Sequence, residues 1–257
     1  MSRGVVYTVF GEDYARLAAR SAASVREHAP GVGLVLESDV EVSDEVASSF
    51  DRVEVEAGVF SWGERIRRFR ALPFERTLRI DADTLVVGSL DGAFDLLEQY
   101  DVAMTHAPAW RGSPDPDGLT PDCFHMLNCG VLFARRCRRV DEMMVLWKEL
   151  YDREQTRDPG GRSTNNDQPA LRWAAWRSGV NLYVLPPEYN VRARHPCFLR
   201  ERPVIVHELG DGLDGLSEIY TWRSGSRIVA PTRPVGAPPT VVSAGEGGAW
   251  LDEFTDG

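Results

Sequence analysis

The chain has 257 residues, 43% of them hydrophobic and 26% charged, with a formal net charge of -10 and a pI near 5.1. This length suits a single α/β domain, and the hydrophobic content supports a large core and argues against wholesale disorder. The acidic balance argues against a nucleic-acid partner, because phosphate backbones are drawn to basic surfaces, and an anionic ligand would need a metal ion or a local arginine cluster.

Gly4 to Phe10 is a β-branched and aromatic run, and after Gly11 the residues Tyr14, Leu17, Ala18, Ser21, Ala22 and Val25 recur at helical spacing. Strand, turn and helix are expected, with the helix stopping near His28 and Pro30. Val32 to Leu36 reads as a second buried strand and Val53 to Val55 as a third. Such alternation implies a mainly parallel central sheet flanked by helices, with ligands gathering at the carboxyl ends of strands. Thr77 to Ile80 is a further strand that runs straight into Asp81-Ala82-Asp83-Thr84 before the apolar Leu85 to Val87. Asn128 to Arg135 reads as another strand. Val140 to about Arg153 reads as a helix with Met143, Met144, Trp147, Leu150 and Tyr151 on one face.

Ala107 to Asp122 and Arg157 to Asn166 look like long loops of the kind that form lids. The tail from Ala230, with Pro231, Pro234, Pro238 and Pro239, is expected to be partly mobile, leaving residues 1–229 as one domain. Cys123, Cys129, Cys137 and Cys197 lack paired spacing and read as reduced, mostly buried thiols. The N-terminal apolar run meets Glu12, Asp13 and Arg16 at once, which fits neither a signal peptide nor a membrane span, so a cytoplasmic enzyme is expected.

Two carboxylates as close as Asp81 and Asp83 repel one another unless a cation or proton neutralises them. A hard divalent ion would do so and could bridge to diphosphate oxygens. A solvated acidic turn is the plain alternative for so short a motif.

The stretch Pro73 to Val86 around that pair resembles the core signature of GT-A glycosyltransferases, and most closely the glycogenin-like family, glycosyltransferase family 8. The likeness runs to about Gly210 and does not include the tail. It implies a single GT-A domain with a Rossmann-like, mainly parallel sheet. It also implies a Mn²⁺ or Mg²⁺ cofactor, a nucleotide-sugar donor such as UDP-glucose or UDP-galactose, and retaining transfer of the hexose to an acceptor hydroxyl. The acceptor is unidentified, no integral membrane segment is expected, and a homodimer is the candidate assembly.

By the same resemblance, Val6 to Tyr14 matches the first strand and turn of the family, which places Thr8, Val9 and Tyr14 at the base and ribose. Tyr14 as the first apolar residue of the helix is an equal reading. Ala82 joins Asp81 and Asp83 in the donor site. Asn128-Cys129-Gly130 matches the segment that contacts the transferred sugar, placing Asn128 beside the hexose. Asn166-Asp167-Gln168 matches an Asp-Gln pair close to the anomeric carbon, so Asp167 and Gln168 are the catalytic candidates. Asn166 or Asp167 equally suits a helix N-cap. His207-Glu208-Leu209-Gly210 matches a His-x-x-Gly whose histidine is the third metal ligand, with Gly210 at the donor.

Two positions depart from the family. Thr164 stands where a second acid is found, and Leu213 where a lysine holds the departing diphosphate. Arg65 lies where the family has a donor-binding lysine and is the first candidate to supply charge, followed by Arg68, Arg192 and Arg194. A solvated basic helix face including Arg67 and Arg70 is the alternative. Trp110 and Trp222 suit an acceptor platform or simple packing. Two rival functions stay open. One is a phosphohydrolase of the haloacid dehalogenase type, against which the early Thr84 counts. The other is a non-catalytic sugar-nucleotide binding protein, suggested by Thr164 and Leu213.

Overall fold

The computed structural model describes residues 2–107, 114–160, 166–192, 195 and 197–207, together with the backbone of 227–230 and 240–243. The chain begins β1 (Arg3–Val9), α1 (Glu12–His28), β2 (Gly33–Ser38), α2 (Asp44–Ala47), β3 (Arg52–Val55), α3 (Trp62–Phe69), β4 (Arg76–Ile80) and β5 (Thr84–Val86). It continues through α4 (Asp91–Leu96), β6 (Val102–His106), β7 (Leu127–Arg135), α5 (Arg138–Arg157), α6 (Gln168–Ser178) and β8 (Leu182–Val184). A 3-10 turn at Pro187–Tyr189 then leads to β9 (Val191–Arg192), β10 (Cys197–Leu199), β11 (Ile205–His207), β12 (Arg227–Ala230) and β13 (Thr240–Ser243).

Seven strands form the central sheet in the order β3-β2-β1-β4-β7-β6-β8. The pairs β1–β2, β2–β3, β1–β4 and β6–β8 are parallel, as the alternation of strands and helices implies. Strand β7 departs from that pattern and runs antiparallel to both β4 and β6. Its reversal serves the site, because the start of β7 now lies beside the carboxyl end of β4, where Asp81 N–H donates to Gly130 O at 2.9 Å. The chain steps outward from β1 to β2 and β3, then crosses to β4 on the other flank of β1. That switch opens a crevice at the carboxyl ends of β1 and β4.

Side chains alternate across the sheet with a period of two, which gives the domain two cores. Val131 and Phe133 of β7 join Leu78, Ile80, Val5 and Tyr7 beneath α1, whose buried stripe includes Ala15, Ala18, Ala22 and Val25. Leu132 and Ala134 point the other way, onto Trp147, Trp173 and the remaining apolar faces of α5 and α6. Opposite Leu78 and Ile80 on β4, Arg79 is fully buried and forks onto Glu37, with both nitrogens about 3 Å from its carboxylate, and also reaches Thr8 Oγ1 at 2.9 Å.

A small second sheet, β5-β11-β9, carries the site histidine; β11 runs antiparallel to β5 and parallel to β9. A third sheet pairs β10 with β12 and β12 with β13, so residues 240–243 of the tail form a strand. The proposed lid segments are only partly described. Within 114–122, Asp115 is buried and accepts from Thr120 and Arg177, so that stretch is pinned to α6. The Arg157 segment begins as the last turn of α5. All four cysteines are free, but only Cys129, inside central strand β7, is buried, while Cys137 and Cys197 are half-buried and Cys123 is exposed. No helix among the described residues is long and apolar enough to cross a membrane.

Candidate active site

β4 ends at Ile80, and the next residues turn with the carboxylates of Asp81 and Asp83 facing the crevice. Ala82 between them is buried and lines the same crevice. Thr84, which opens β5, pins the turn by donating to Asp81 O at 2.7 Å. Its hydroxyl also meets Ser21 Oγ at 3.0 Å, and Ser21 meets Tyr7 OH at 2.9 Å. An exposed acidic turn would not need that buried support.

His207 reaches the same place through sheet pairing. It stands in register with Thr84 across β11 and β5, one residue past Asp83. His207 Nε2 lies 3.3 Å from Asp83 Oδ1 and 3.5 Å from Asp81 Oδ2. One ligand atom from each of the three residues falls within 4.8 Å of the others. Two carboxylate oxygens and one imidazole nitrogen form a donor set that suits Mn²⁺ or Mg²⁺. Gly130 makes the space for it, since a Cβ there would lie 2.2 Å from His207 Cε1 and 2.7 Å from Asp81 Oδ2. Burial pulls the His207 pKa down, but the carboxylates of Asp81 and Asp83 outweigh it and hold the pKa above the ordinary value.

Arg65, on the buried side of α3, joins two parts of the site. Its Nη2 is 2.5 Å from Asp81 Oδ1, and its Nη1 binds Asp167 Oδ2 and lies 3.1 Å from Cys129 Sγ. Cys129 Sγ is in turn 3.1 Å from Asp167 Oδ1. Burial alone would raise the Asp81 pKa, yet Arg65 and His207 hold it well below the carboxylate range. Burial, followed by the Asp167 charge, pushes the Cys129 thiol up, so it is neutral at physiological pH. The alternative of a solvated basic face holds for Arg67 and Arg70 but not for Arg65 or Arg68, which are 6% and 5% exposed. Arg68 binds Glu64 and the Glu56 carbonyl rather than the crevice.

Asp167 is the N-cap residue of α6 by position, but its carboxylate turns to Arg65 and Cys129; Asn166 Oδ1 instead accepts from Gln168 N–H at 3.0 Å. The chain thus separates the two roles that the sequence left open. Asp167 is held from below by the Trp147 indole, which donates to its carbonyl at 2.8 Å. Asn128, 1% exposed, lines the crevice, and its Oδ1 accepts from Gly130 N–H and from Asn190.

These groups share one cleft of about 480 Å³, within the range of small-ligand sites. Thr8, Val9 and Tyr14 line it from β1 and α1, and Gln168 and Arg192 complete its walls. Tyr14 is 56% exposed, so it is not a core residue of the helix. Phe10, Phe60 and Trp62 form an aromatic rim, with successive ring centroids 5.3 Å and 5.2 Å apart. Sequence reasoning passed over Asn190, the aromatic rim and the role of Cys129. Asn190 and the aromatic rim carry no motif signal, and Cys129 sits inside a motif whose reading rested on its neighbours Asn128 and Gly130. Gly210, Thr164, Leu213, Arg194, Trp110 and Trp222 lie outside the described residues.

No family model matches the chain, and no curated protein matches it in sequence. Solved structures do match its fold. The glycosyltransferase GlyE of Streptococcus pneumoniae TIGR4 has a TM-score of 0.58 at 17% identity, covering 82% of this chain and 56% of that one. The galactosyltransferase LgtC, in complex with donor and acceptor sugar analogues, has a TM-score of 0.54 at 12% identity, covering 85% and 91%. Mouse xyloside xylosyltransferase 1 has a TM-score of 0.51 at 14% identity, covering 88% and 95%. The chain spans 56% of GlyE and 46% of the bifunctional glycosyltransferase WbbM, about half the length of each. With its seven-stranded central sheet and flanking helices, this chain has the GT-A glycosyltransferase fold.

Proposed function

We propose that this chain is a metal-dependent glycosyltransferase that moves a hexose from a nucleotide-sugar to an acceptor hydroxyl. One observation carries the reading: Asp81, Asp83 and His207 converge in the cleft at the β1–β4 switch, and Asp167 and Gln168 line the same cleft. The residues also resemble glycosyltransferase family 8, and a UDP-glucose or UDP-galactose donor and retention of anomeric configuration belong to that part of the proposal. LgtC, which shares the fold, was solved with donor and acceptor sugar analogues.

Asp81, Asp83 and His207 would hold the cation, which when bound offsets diphosphate charge and acts as a Lewis acid toward the departing nucleotide. Thr8, Val9 and Tyr14 form the nucleoside end of the cleft, and the aromatic rim gives the base a stacking surface. Asp167 and Gln168 line the same cleft, where they would bind sugar hydroxyls and orient the anomeric carbon.

The diphosphate needs positive charge in addition to the metal ion. Arg192 lines the same cleft and stands in parallel register with His207 across β9 and β11, which puts both side chains on one face of that sheet. We assign Arg192 the charge that Leu213 lacks. The protein's contribution is thus positioning and charge stabilisation, with no nucleophilic side chain required.

The test is calorimetric binding of UDP with and without Mn²⁺, repeated on Asp83→Ala, with UDP-hexose turnover followed in the same samples. Binding that needs both the metal and Asp83, together with turnover, supports the reading. Metal-independent binding overturns the metal assignment, metal-dependent binding without turnover indicates a sugar-nucleotide binding protein, and release of inorganic phosphate from phosphomonoesters indicates a phosphohydrolase.

A further inference from the structure

We propose that Asn190 is a positioning residue that fixes the His207 ring with Nδ1 protonated and Nε2 presented to the metal site; the proposal rests on the metal-dependent reading above. The argument starts from a group whose role admits no choice. The backbone N–H of Gly130 can only donate, and its partner at 2.9 Å is Asn128 Oδ1. That oxygen is therefore an acceptor, and the second group on it, at 3.0 Å, is the amide nitrogen of Asn190. The same nitrogen approaches Thr105 Oγ1 at 3.2 Å, which accounts for both of its hydrogens.

Asn190 consequently turns its carbonyl oxygen to His207 Nδ1, 2.9 Å away. A carbonyl only accepts, so Nδ1 carries the proton. In a neutral ring the lone pair then sits on Nε2, the nitrogen that faces Asp83 and Asp81. The opposite tautomer would set two acceptors against each other at 2.9 Å and place an N–H where the cation must bind.

Burial makes the relay decisive. Asn128, Asn190 and His207 are 1%, 5% and 5% exposed, and Thr105 is 3% exposed, so water is poorly placed to replace a lost partner. Gly130 serves the relay twice. Its N–H sets the direction of the chain of bonds, and its missing side chain leaves room for the ring, since a Cβ there would sit 2.2 Å from His207 Cε1. The relay spans four separate segments, so each bond depends on the tertiary fold. Outer partners that orient a metal-ligating histidine are worth about 10- to 100-fold in metal affinity.

The experiment uses Mn²⁺ alone, without nucleotide, and compares wild type with Asn190→Leu, Asn190→Asp and Asp83→Ala by calorimetry. It is paired with ¹⁵N spectra of histidine-labelled protein loaded with diamagnetic Mg²⁺. The leucine variant removes the acceptor at similar volume and is expected to weaken Mn²⁺ binding about 10- to 100-fold and to lose the fixed Nδ1–H form. The aspartate variant keeps an oxygen toward Nδ1 while giving up the donated bonds, so it should keep Nδ1–H and bind Mn²⁺ more tightly than the leucine variant. Wild-type protein whose His207 carries its proton on Nε2 overturns the proposal without any variant. So does an Asn190→Leu protein that binds Mn²⁺ as wild type does while Asp83→Ala has lost it, and in that case the parent reading survives. Absence of Mn²⁺ binding by wild type, or undiminished binding by Asp83→Ala, overturns the metal reading and this proposal with it.

Discussion

Asp81 and Asp167 meet on one guanidinium: Arg65 Nη2 lies 2.5 Å from Asp81 Oδ1, while Nη1 holds Asp167 Oδ2. The turn after β4 and the start of α6 are therefore tied through a residue of α3. Without Arg65, the Asp167 carboxylate, 1% exposed, would be left without a counter-charge. Arg65→Ala is expected to destabilise the fold by about 3 kcal/mol, the scale of breaking a buried pair, in urea unfolding monitored by fluorescence. Arg65→Lys should recover only part of this, because an ammonium cannot fork across two carboxylates. Wild-type stability in Arg65→Ala would show that the tie contributes nothing.

Gly130 tests the space inside the metal site. A methyl group there would lie 2.2 Å from His207 Cε1, and both the ring and Asp81 are held by neighbours. Gly130→Ala is expected to cost about 1–3 kcal/mol of stability as an overpacked site and to lower Mn²⁺ affinity at least about tenfold. Calorimetry on the purified variant measures the second effect, and an unchanged affinity would mean that the triad can shift freely.

Arg192 tests the source of positive charge for the donor. Arg192→Ala is expected to leave binding of Mn²⁺ alone unchanged while weakening UDP in its presence about tenfold or more, the scale of one charged hydrogen bond. UMP, with one phosphate fewer, should lose less. Equal UDP affinity in variant and wild type would remove Arg192 from the donor site.

Asp101 gives the pH dependence of stability away from the site. Its side chain is fully buried, accepts from Asn181 N–H at 2.9 Å, and pairs with Arg135 and Arg139. Burial raises its pKa, but these partners outweigh burial and lower it below the ordinary 3.8. A carboxyl depressed in the folded state contributes stability that is present above its unfolded pKa and lost as pH falls through the folded one. Asp101→Asn should therefore cost about 2 kcal/mol at pH 7, from loss of hydrogen bonds to a charged group. The gap in melting temperature between variant and wild type should narrow steadily below about pH 4. A gap that stays constant with pH would exclude the ionised carboxylate as its cause.

Local patterns made the frame of the site readable. The apolar run of β4 stopping at Asp81 placed a strand end and two carboxylates at one point, and the structure puts both in the cleft. The helical spacing after Gly11 and the strand expected at Asn128 to Arg135 held to within a few residues at their ends. Tyr14 was ambiguous because an aromatic at the start of a helix serves equally as core or as pocket wall. Only its 56% exposure decides between them.

The sequence by itself determined which chemistry is present: a DxD at a strand end, a histidine closing a late apolar run, an Asp-Gln pair opening a helix, and an acidic chain that must bring its own cation to bind an anion. The tertiary structure decided which of those groups meet and which way they point. Reversal of β7 delivers Asn128 and Gly130 to the end of β4, and pairing of β11 with β5 sets His207 beside Asp83. Arg65 is turned from a surface-like pattern into a buried clamp, and Asn190 becomes the residue that orients a ring from another strand. The physical reason is that periodicity and propensity act over one or two turns of chain. Buried hydrogen bonds and ion pairs depend instead on distances between segments that only the packed sheet brings within 3 Å.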